Sequence, residues 1–284
     1  MGKKDSSFEQ GSSQVWDEVF QRVDLSYSEE SETQNQLFEM VKISSLKRIF
    51  ASFKKQKSLK KVKMLEVGCG TGFVSLYFAK RGYDTTCLDI NQSILKITKR
   101  NFKKEKVKGV FVSCDAQNLK FTDNSFDLVT SFGLLEHFQD PSKAIKEMVR
   151  VLKPGGLFFT DIVPARFSCQ GLANVFNFLV TLLFWSLKGK PGTGWQRGKR
   201  NFIPLYYENS FSLRKYLELM EKAGLKNLQV RGNRPFPRLT LPSFFDRLYV
   251  QVLKLFIVLW KAFDTIDNPF SRFWGAGWWF WGNK

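Results

Sequence analysis

The chain has 284 residues, enough for one α/β domain with insertions or for two small domains. It carries 44 Lys and Arg against 26 Asp and Glu, a formal net charge of +18, together with 29 Phe and 8 Trp. Such a charge indicates an anionic partner, either nucleic acid or a lipid headgroup layer, and the aromatic excess favours lipid. The four Cys lack paired or metal-ligand spacing, which excludes a disulfide framework and indicates reduced thiols in a cytosolic protein.

Residues 1–60 are predicted to form an N-terminal helical and basic segment without a cleavable signal peptide, since they contain no long apolar run. The opening MGKKDS matches the pattern for N-myristoylation. Apolar residues at helical spacing predict one amphipathic helix over residues 15–23 and another over residues 36–53. Residues 47–63 contain eight basic side chains and no acidic one, and residues 96–108 form a second basic run. Each run is either a solvated face or a contact to anionic lipid.

The next stretch, residues 62–74, reads VKMLEVGCGTGFV. An apolar strand ends near Glu66, and Gly68, Gly70 and Gly72 follow before a short apolar helix begins. Glycines there let the chain reverse tightly and bring its backbone against a ligand. A second predicted strand, residues 85–88, leads to Asp89, whose carboxylate can accept from both hydroxyls of a ribose. Together these features predict a nucleoside site.

Six motifs follow one another in the order typical of one enzyme family. They are EVGCGTG (66–72), LDI (88–90), CDA (114–116), SFDLVTSF (125–132), LLEHFQDP (134–141) and RVLKPGG (150–156). In these motifs the chain resembles the class I S-adenosylmethionine-dependent methyltransferases. The resemblance implies a Rossmann-like α/β fold with a seven-stranded mixed sheet, helices on both faces and S-adenosylmethionine as cofactor.

The resemblance also implies which residues meet the cofactor. In the family, the position of Asp115 accepts a hydrogen bond from the adenine, and the backbone amide that follows donates to the ring. The predicted cofactor-binding residues are Glu66, Gly68, Cys69, Gly70, Asp89, Ile90, Asp115, Ala116 and Ser131.

The residues that follow the fourth predicted strand lie nearest the reacting methyl group, because ligands bind at the carboxyl ends of parallel strands. His137 is the one histidine of the chain, and near neutral pH a histidine is the natural base for the proton of an acceptor hydroxyl. Glu136 and His137 are therefore the candidate catalytic residues. The alternative is that the pair only buttresses its loop.

The LEHFQDP motif also resembles the ubiquinone-pathway O-methyltransferases, in which a glutamate three residues before the Glu-His pair helps hold a divalent metal. Gly133 stands at that position here, so no metal site is predicted. Neither the Pro-Pro-aromatic motif of DNA and protein amide N-methyltransferases nor the Pro-Cys of cytosine C5 enzymes follows this strand. Their absence argues against nucleic acid as the substrate.

Two apolar insertions are predicted in the C-terminal half. Residues 167–187 carry no charge over 21 positions, a length that can span a bilayer. A sixth strand predicted at 226–230 must rejoin the sheet, so an interfacial element or a cover over a substrate tunnel fits better. In the apolar residues 244–263, Arg247, Lys254 and Lys261 are seven positions apart, so their charges can lie on one line of a helix at a membrane interface. The alternative is a buried helix. Residues 188–200 are predicted to form a mobile basic loop, and residues 274–284 are predicted to form the final strand.

These elements divide the chain into five predicted segments. They are a helical and basic segment (1–60), the cofactor-binding core (61–163), a hydrophobic cap or membrane-interface insertion (164–203), a return helix and strand (204–232), and an amphipathic helix with the final strand (233–284).

The sequence thus predicts a methyltransferase that acts on a hydrophobic, membrane-resident small molecule or lipid, at oxygen or carbon. We expect a cytoplasmic protein that binds an anionic membrane surface peripherally, as a monotopic protein. One alternative is an RNA or protein methyltransferase that uses the basic surface. Another is a non-catalytic membrane scaffold, against which the intact Glu66, Gly68, Gly70 and Asp89 argue.

Overall fold

The computed structural model describes residue 16 and residues 27–57, 61–163, 165–202 and 207–284. The MGKKDS opening, and all of the helix predicted over residues 15–23 except Trp16, lie outside the described residues. The second predicted helix is present as α1 (Gln34–Lys57) and is longer than expected at both ends.

The strands of the described residues form one sheet in the order β3-β2-β1-β4-β5-β7-β6. They are β1 (Lys63–Val67), β2 (Asp84–Asp89), β3 (Val110–Ser113), β4 (Phe126–Phe132), β5 (Leu152–Ile162), β6 (Lys226–Asn233) and β7 (Gly277–Asn283). The first five strands pair in parallel, and β7 runs antiparallel between β5 and β6. This confirms the predicted seven-stranded mixed sheet.

Helices cover both faces of the sheet. Besides α1 they are α2 (Phe73–Ala79), α3 (Gln92–Lys104), α4 (Ser142–Val151), α5 (Cys169–Leu187), α6 (Pro191–Lys199), α7 (Leu213–Lys222), α8 (Ser243–Leu255), α9 (Ile257–Phe263) and α10 (Pro269–Trp274). Alternate residues of one strand serve the two layers, because successive side chains point to opposite faces. Leu128 packs with α1 to α3, and its neighbour Val129 packs with α4 and α7.

The strand order places a crevice at the centre of the sheet. β1 lies between β2 and β4. From β1 the chain continues to β2 and β3 on one side, and then crosses back to β4 on the other side. At such a switch point the connections diverge, and ligands bind outside the carboxyl ends of the strands. The predicted cofactor and catalytic residues all lie in or directly after β1 to β4.

The prediction of a mobile loop at residues 188–200 was wrong, because most of it is the helix α6. A Cβ added to Gly194 would lie 2.9 Å from the Cβ of Trp185, and a Cβ added to Gly198 would lie 2.6 Å from the ring of Phe178. Glycines disfavour an isolated helix, but here they let α6 lie close against α5. The packing therefore stabilises a helix that local composition argues against.

Three predicted boundaries also differ. The apolar stretch at 244–263 is two helices, α8 and α9, with the break at Phe256. Trp274, expected in the last strand, ends α10, whose first turn is capped by Asn268 and contains Pro269. β6 continues to Asn233, beyond the predicted end at residue 230. All four cysteines are buried and free.

Candidate active site

The glycine turn between β1 and α2 requires three residues in the left-handed region, with φ of +69° at Gly68, +52° at Gly70 and +70° at Gly72. A Cβ added at Gly72 would lie 2.4 Å from Cγ2 of Thr98 on α3, so no larger side chain fits there. The Thr98 hydroxyl also donates to the Gly70 carbonyl at 2.6 Å. The turn is thus fixed by α3, and its glycines keep its surface free of side chains.

Asp89 ends β2 and ties that strand to the turn. Its Oδ2 accepts from the backbone N–H of Gly70 at 3.0 Å, and its Oδ1 accepts from that of Asn91 at 3.0 Å. Burial raises the pKa of Asp89, and these backbone donors oppose the increase. Each carboxylate oxygen keeps a second lone pair, so the group can still accept from the hydroxyls of a ribose. Ile90 follows with an exposed side chain, which offers an apolar surface beside it.

Glu66 and Cys69 support the turn through contacts within the protein. Oε2 of Glu66 accepts from the backbone N–H of Ser75 at 3.0 Å and from its hydroxyl at 2.5 Å, and burial raises the pKa of Glu66 to about 7. The backbone N–H of Cys69 donates to the Leu88 carbonyl at 2.9 Å, and its thiol is buried. These contacts hold β1, β2 and α2 together.

Asp115 and Ala116 follow β3 at the same edge of the sheet. The backbone N–H of Cys114 donates to the Asp89 carbonyl at 3.3 Å, which brings the ends of β2 and β3 together. Asp115 is exposed, and its Oδ1 accepts from the backbone N–H of Gln117 at 2.8 Å. Ala116 is buried. The glycine turn, Asp89 and Asp115 therefore line one edge, an arrangement that fits the nucleoside part of S-adenosylmethionine.

Ser131 lies within the sheet near the end of β4. It is buried, and its hydroxyl shares a hydrogen bond of 2.7 Å with the hydroxyl of Thr160 on β5. In this geometry its side chain joins the two strands, so a contact to cofactor would come from its backbone.

His137 ends a short 3-10 turn, Leu135–His137, directly after β4. Its Nδ1 lies 2.9 Å from the carbonyl oxygen of Tyr207. Because a carbonyl only accepts, this is a hydrogen bond when Nδ1 carries the hydrogen, and the neutral ring then has its lone pair on Nε2. Burial lowers the pKa of His137, although hydrogen bonds to the backbone at Tyr207 and Gly133 oppose the decrease. The ring is therefore neutral near pH 7, and the ring of Trp16 meets it edge-on at 4.9 Å between centroids.

Glu136 is turned into the protein and holds the loop that carries His137. Its Oε1 accepts from the backbone N–H of Val163 at 2.9 Å, while its Oε2 has no hydrogen-bond partner among the described residues. Burial raises the pKa of Glu136 to about 8, so the side chain is neutral at pH 7. Asn209 donates to the Glu136 carbonyl at 2.7 Å and holds two further carbonyls of the loop. This geometry suits a positioning role for Glu136.

A buried ionic cluster lies at the carboxyl end of β5, and sequence reasoning missed most of it. Asp161 lies opposite Phe132 of β4, and its Oδ1 accepts from Asn233 at 2.9 Å and from Arg234 at 3.3 Å. The Nζ of Lys42 on α1 lies 3.9 Å from Oδ2 of Asp161 and 5.5 Å from the centroid of the Phe132 ring. The sequence carries no distinct signal for Lys42, because Glu39, Lys47 and Arg48 also interrupt the apolar pattern of α1. We call this cluster the acceptor side of the site.

The structure also bears on the position where related enzymes carry a metal ligand. Gly133 has a φ of +65°, which a glutamate would adopt only with strain. Within the described part of the chain, no group of three or more His, Cys, Asp or Glu side chains is arranged to hold a metal ion.

Known proteins resemble the chain most clearly over this site. Residues 65–160 match the family model described as a methyltransferase domain. Over 129 residues, 44% of this chain and 55% of the relative, the chain is 32% identical to the ubiquinone biosynthesis O-methyltransferase of Coxiella burnetii. Residues 65–160 are a class I S-adenosylmethionine-dependent methyltransferase domain.

Over 107 residues the chain is 43% identical to the demethylmenaquinone methyltransferase of Renibacterium salmoninarum, covering 37% of this chain and 41% of the relative. The chain spans about half the length of these curated relatives.

Solved structures extend the likeness beyond the methyltransferase domain, in fold alone. The YcgJ protein from Bacillus subtilis superposes with a TM-score of 0.50 at 19% identity, covering 82% of this chain and 96% of that one. The phosphoethanolamine N-methyltransferase 2 of Haemonchus contortus, in complex with S-adenosyl-L-methionine, gives 0.50 at 18% identity, covering 82% and 51%.

Proposed function

We propose that this chain uses S-adenosylmethionine to methylate a lipophilic aromatic acceptor of the quinone-precursor type, on oxygen or on carbon. The observation that carries the proposal is the glycine turn tied to Asp89 at the switch point of the sheet, within the methyltransferase domain. The relatives named for ubiquinone and menaquinone biosynthesis support the acceptor class. The apolar helices exposed next to the acceptor side support a lipophilic acceptor.

The cofactor supplies a methyl group that its positive sulfur has already activated. The chain's contribution is therefore mainly position and exclusion of water. Asp89 accepts from the ribose hydroxyls, and Asp115 with the backbone of Ala116 holds the adenine. The glycine turn gives the cofactor close access to backbone.

His137 is the candidate base for an acceptor hydroxyl. Its ring is neutral near pH 7 because burial lowers its pKa, so Nε2 can take the proton. S-adenosylmethionine, held by Asp89, Asp115 and Ala116, would supply the methyl group and leave as S-adenosylhomocysteine, and the hydroxyl proton of the acceptor would pass to Nε2 of His137. The carbonyls at Tyr207 and Gly133 favour the positive ring that results. A base of this kind contributes about 10²–10⁴ to a rate.

Transfer of a radiolabelled methyl group from S-adenosylmethionine tests the proposal. The acceptors are a prenylated catechol and a prenylated naphthoquinol, each in liposomes, and total RNA as the polymer arm. We expect label in one of the two lipophilic acceptors and none in the RNA. Label in RNA alone would overturn the acceptor class.

Asp89→Ala serves as the loss-of-cofactor variant in that experiment. It removes a carboxylate that holds two backbone amides and is placed to accept from the ribose, so we expect S-adenosylhomocysteine to bind roughly a hundredfold more weakly by calorimetry. Asp84→Ala, at the opposite end of β2, removes a carboxylate paired with Lys61 on the surface and should leave binding unchanged. If the unmodified protein binds no S-adenosylhomocysteine, the methyltransferase proposal fails and the scaffold alternative stands.

A further inference from the structure

The helix α5 carries its apolar side chains outward. Most of the exposed ones fall on one stripe, namely Leu172, Val175, Phe176, Leu179, Leu183 and Leu187, and Phe184 is exposed beside it. The buried residues of the helix, Cys169, Ala173 and Asn177, lie in its first half, where it packs on the protein. A helix on a surface that faces water normally has polar residues on its exposed side and apolar residues on its buried side. The exposed fraction reaches 81% at Leu187, so this stripe lacks a cover among the described residues.

The helices α8 and α9 repeat this arrangement. Their exposed stripe is Phe244, Leu248, Val252, Leu255, Val258 and Leu259, while Val250, Leu253 and Trp260 pack towards α1. Phe244 is 73% exposed and Leu255 is 82% exposed. Isolated exposed apolar side chains are common, but two continuous stripes of this kind indicate a binding surface.

The helices that carry the two stripes adjoin one segment of chain, residues 234–240. Asn177 of α5 donates to the Arg238 carbonyl at 3.3 Å and accepts from the backbone N–H of Thr240 at 2.8 Å, just before α8 begins. At the first residue of the segment, Arg234 contacts Asp161 on the acceptor side. Both helices are therefore linked through this segment to Asp161 on the acceptor side.

Cations and aromatic rings lie together where the α5 stripe ends. The Nζ of Lys188 lies 4.2 Å from the ring centroid of Phe184, and the guanidinium carbon of Arg197 lies 4.4 Å from that of Trp185. The Nζ of Lys199 lies 5.1 Å from the ring centroid of Trp195. Aromatic rings with basic side chains are typical of the boundary between hydrocarbon and headgroups. Their charge, within a chain of net charge +18, is complementary to anionic lipid.

By length and composition, α5 is the one helix of the described residues that could cross a membrane. Its first turns, as far as Asn177, are bound to the protein. The remaining ten or so residues would reach only about 15 Å, half of a hydrocarbon core. α6 also packs back along α5 as far as Phe178, so a crossing would carry Arg197 and Lys199 into hydrocarbon. These contacts favour a hairpin that lies in the interface.

We propose that α5, α6, α8 and α9 form one docking surface for an anionic lipid leaflet. The two apolar stripes enter the outer part of the leaflet, and the cations near Trp185 and Trp195 contact the headgroups. The inference holds whatever the acceptor is, because it rests on exposure and charge alone. It makes the protein peripheral and monotopic, with its acceptor side next to the bilayer.

Flotation with vesicles tests this surface in the full chain. One set is phosphatidylcholine and the other contains one third phosphatidylglycerol. We expect the protein to float with the anionic vesicles, and Leu183→Glu with Leu187→Glu to lower the bound fraction by roughly tenfold or more. Replacing Lys188, Arg197 and Lys199 by Gln should weaken binding to the anionic vesicles and reduce its salt dependence.

Val110→Glu is the matched control, because Val110 is an exposed apolar residue on β3, at the opposite edge of the sheet. It should float like the unmodified protein, and circular dichroism should show all variants folded. Two results would overturn the proposal. One is an unmodified protein that floats with neither vesicle, or a Leu183 and Leu187 variant that floats unchanged. The other is a dimer in light scattering that the same variant dissociates, which would assign the stripes to a second copy.

Discussion

The cofactor side and the acceptor side of this sheet are held by different kinds of contact. The glycine turn is fixed largely through backbone groups, since Asp89 binds the N–H of Gly70 and Thr98 binds its carbonyl. The acceptor side is held between side chains, with Asp161 bound by Arg234 and close to Lys42.

The family match follows the same division. It covers residues 65–160 and ends one residue before Asp161. The helices that carry the exposed stripes also lie beyond it. A site within the family match suits a ligand that many enzymes share, and a side built outside it suits an acceptor particular to this chain.

Replacing His137 should produce the largest effect and should separate the two sides. We expect His137→Gln to lower kcat by roughly a hundredfold or more and to leave the affinity for S-adenosylhomocysteine unchanged, because the proposed role of the ring is to take the acceptor's proton. The pKa of His137 lies below its ordinary value of 6.5. In the unmodified enzyme, kcat should therefore be constant above about pH 6.5 and fall as the pH drops through that lowered pKa.

Steady-state kinetics and calorimetry on the same preparation check this prediction. An unchanged kcat with a lower melting temperature would assign His137 to buttressing the loop. A loss of cofactor affinity would mean that the two sides are not separable at this residue.

The cofactor side was the easier one to predict from sequence, because its signals are local. A series of glycines predicts the turn, and a carboxylate at the end of the next strand predicts the role of Asp89, both within one stretch of chain. The sequence identifies Glu66 as a candidate but does not show what its side chain contacts. In the structure its carboxylate accepts a hydrogen bond from the backbone N–H of Ser75. Lys42 and Asp161 come together only through tertiary structure, and α6 is a helix because it packs on α5. Contacts between distant parts of the chain have no local signature.

A pair of glycines offers a sharper measure of how the cofactor side is fixed. Gly72 and Gly82 both have positive φ, +70° and +83°, so alanine at either costs about 1–2 kcal/mol of backbone strain. At Gly72 the added Cβ also meets Thr98, whereas at Gly82 nothing lies within 4 Å. We expect Gly72→Ala to lose about 1–3 kcal/mol more than Gly82→Ala in urea unfolding. Gly72→Ala should also weaken cofactor binding. Equal losses would show that α3 does not hold the turn rigidly.

The last expected effect concerns Glu136, the acid that holds the loop of His137. Burial raises the pKa of Glu136 to about 8, from an ordinary 4.5. Between these values the side chain is neutral in the folded protein and ionised in the unfolded chain, so the unfolded state binds fewer protons. Stability should therefore fall as pH rises through this window, by about 1.4 kcal/mol per pH unit from this residue.

Glu136→Gln cannot ionise, so urea unfolding at several pH values between about 5 and 7 should show a shallower decrease than in the unmodified protein. Part of the decrease should remain, because the pKa of Glu66 is also raised, to about 7. Glu147→Gln is the control, since Arg150 lowers the pKa of Glu147 and its titration lies below this window. An unchanged slope in Glu136→Gln would mean that the carboxyl reaches water and is charged. The loop of His137 would then be held less tightly than the contact to Val163 indicates.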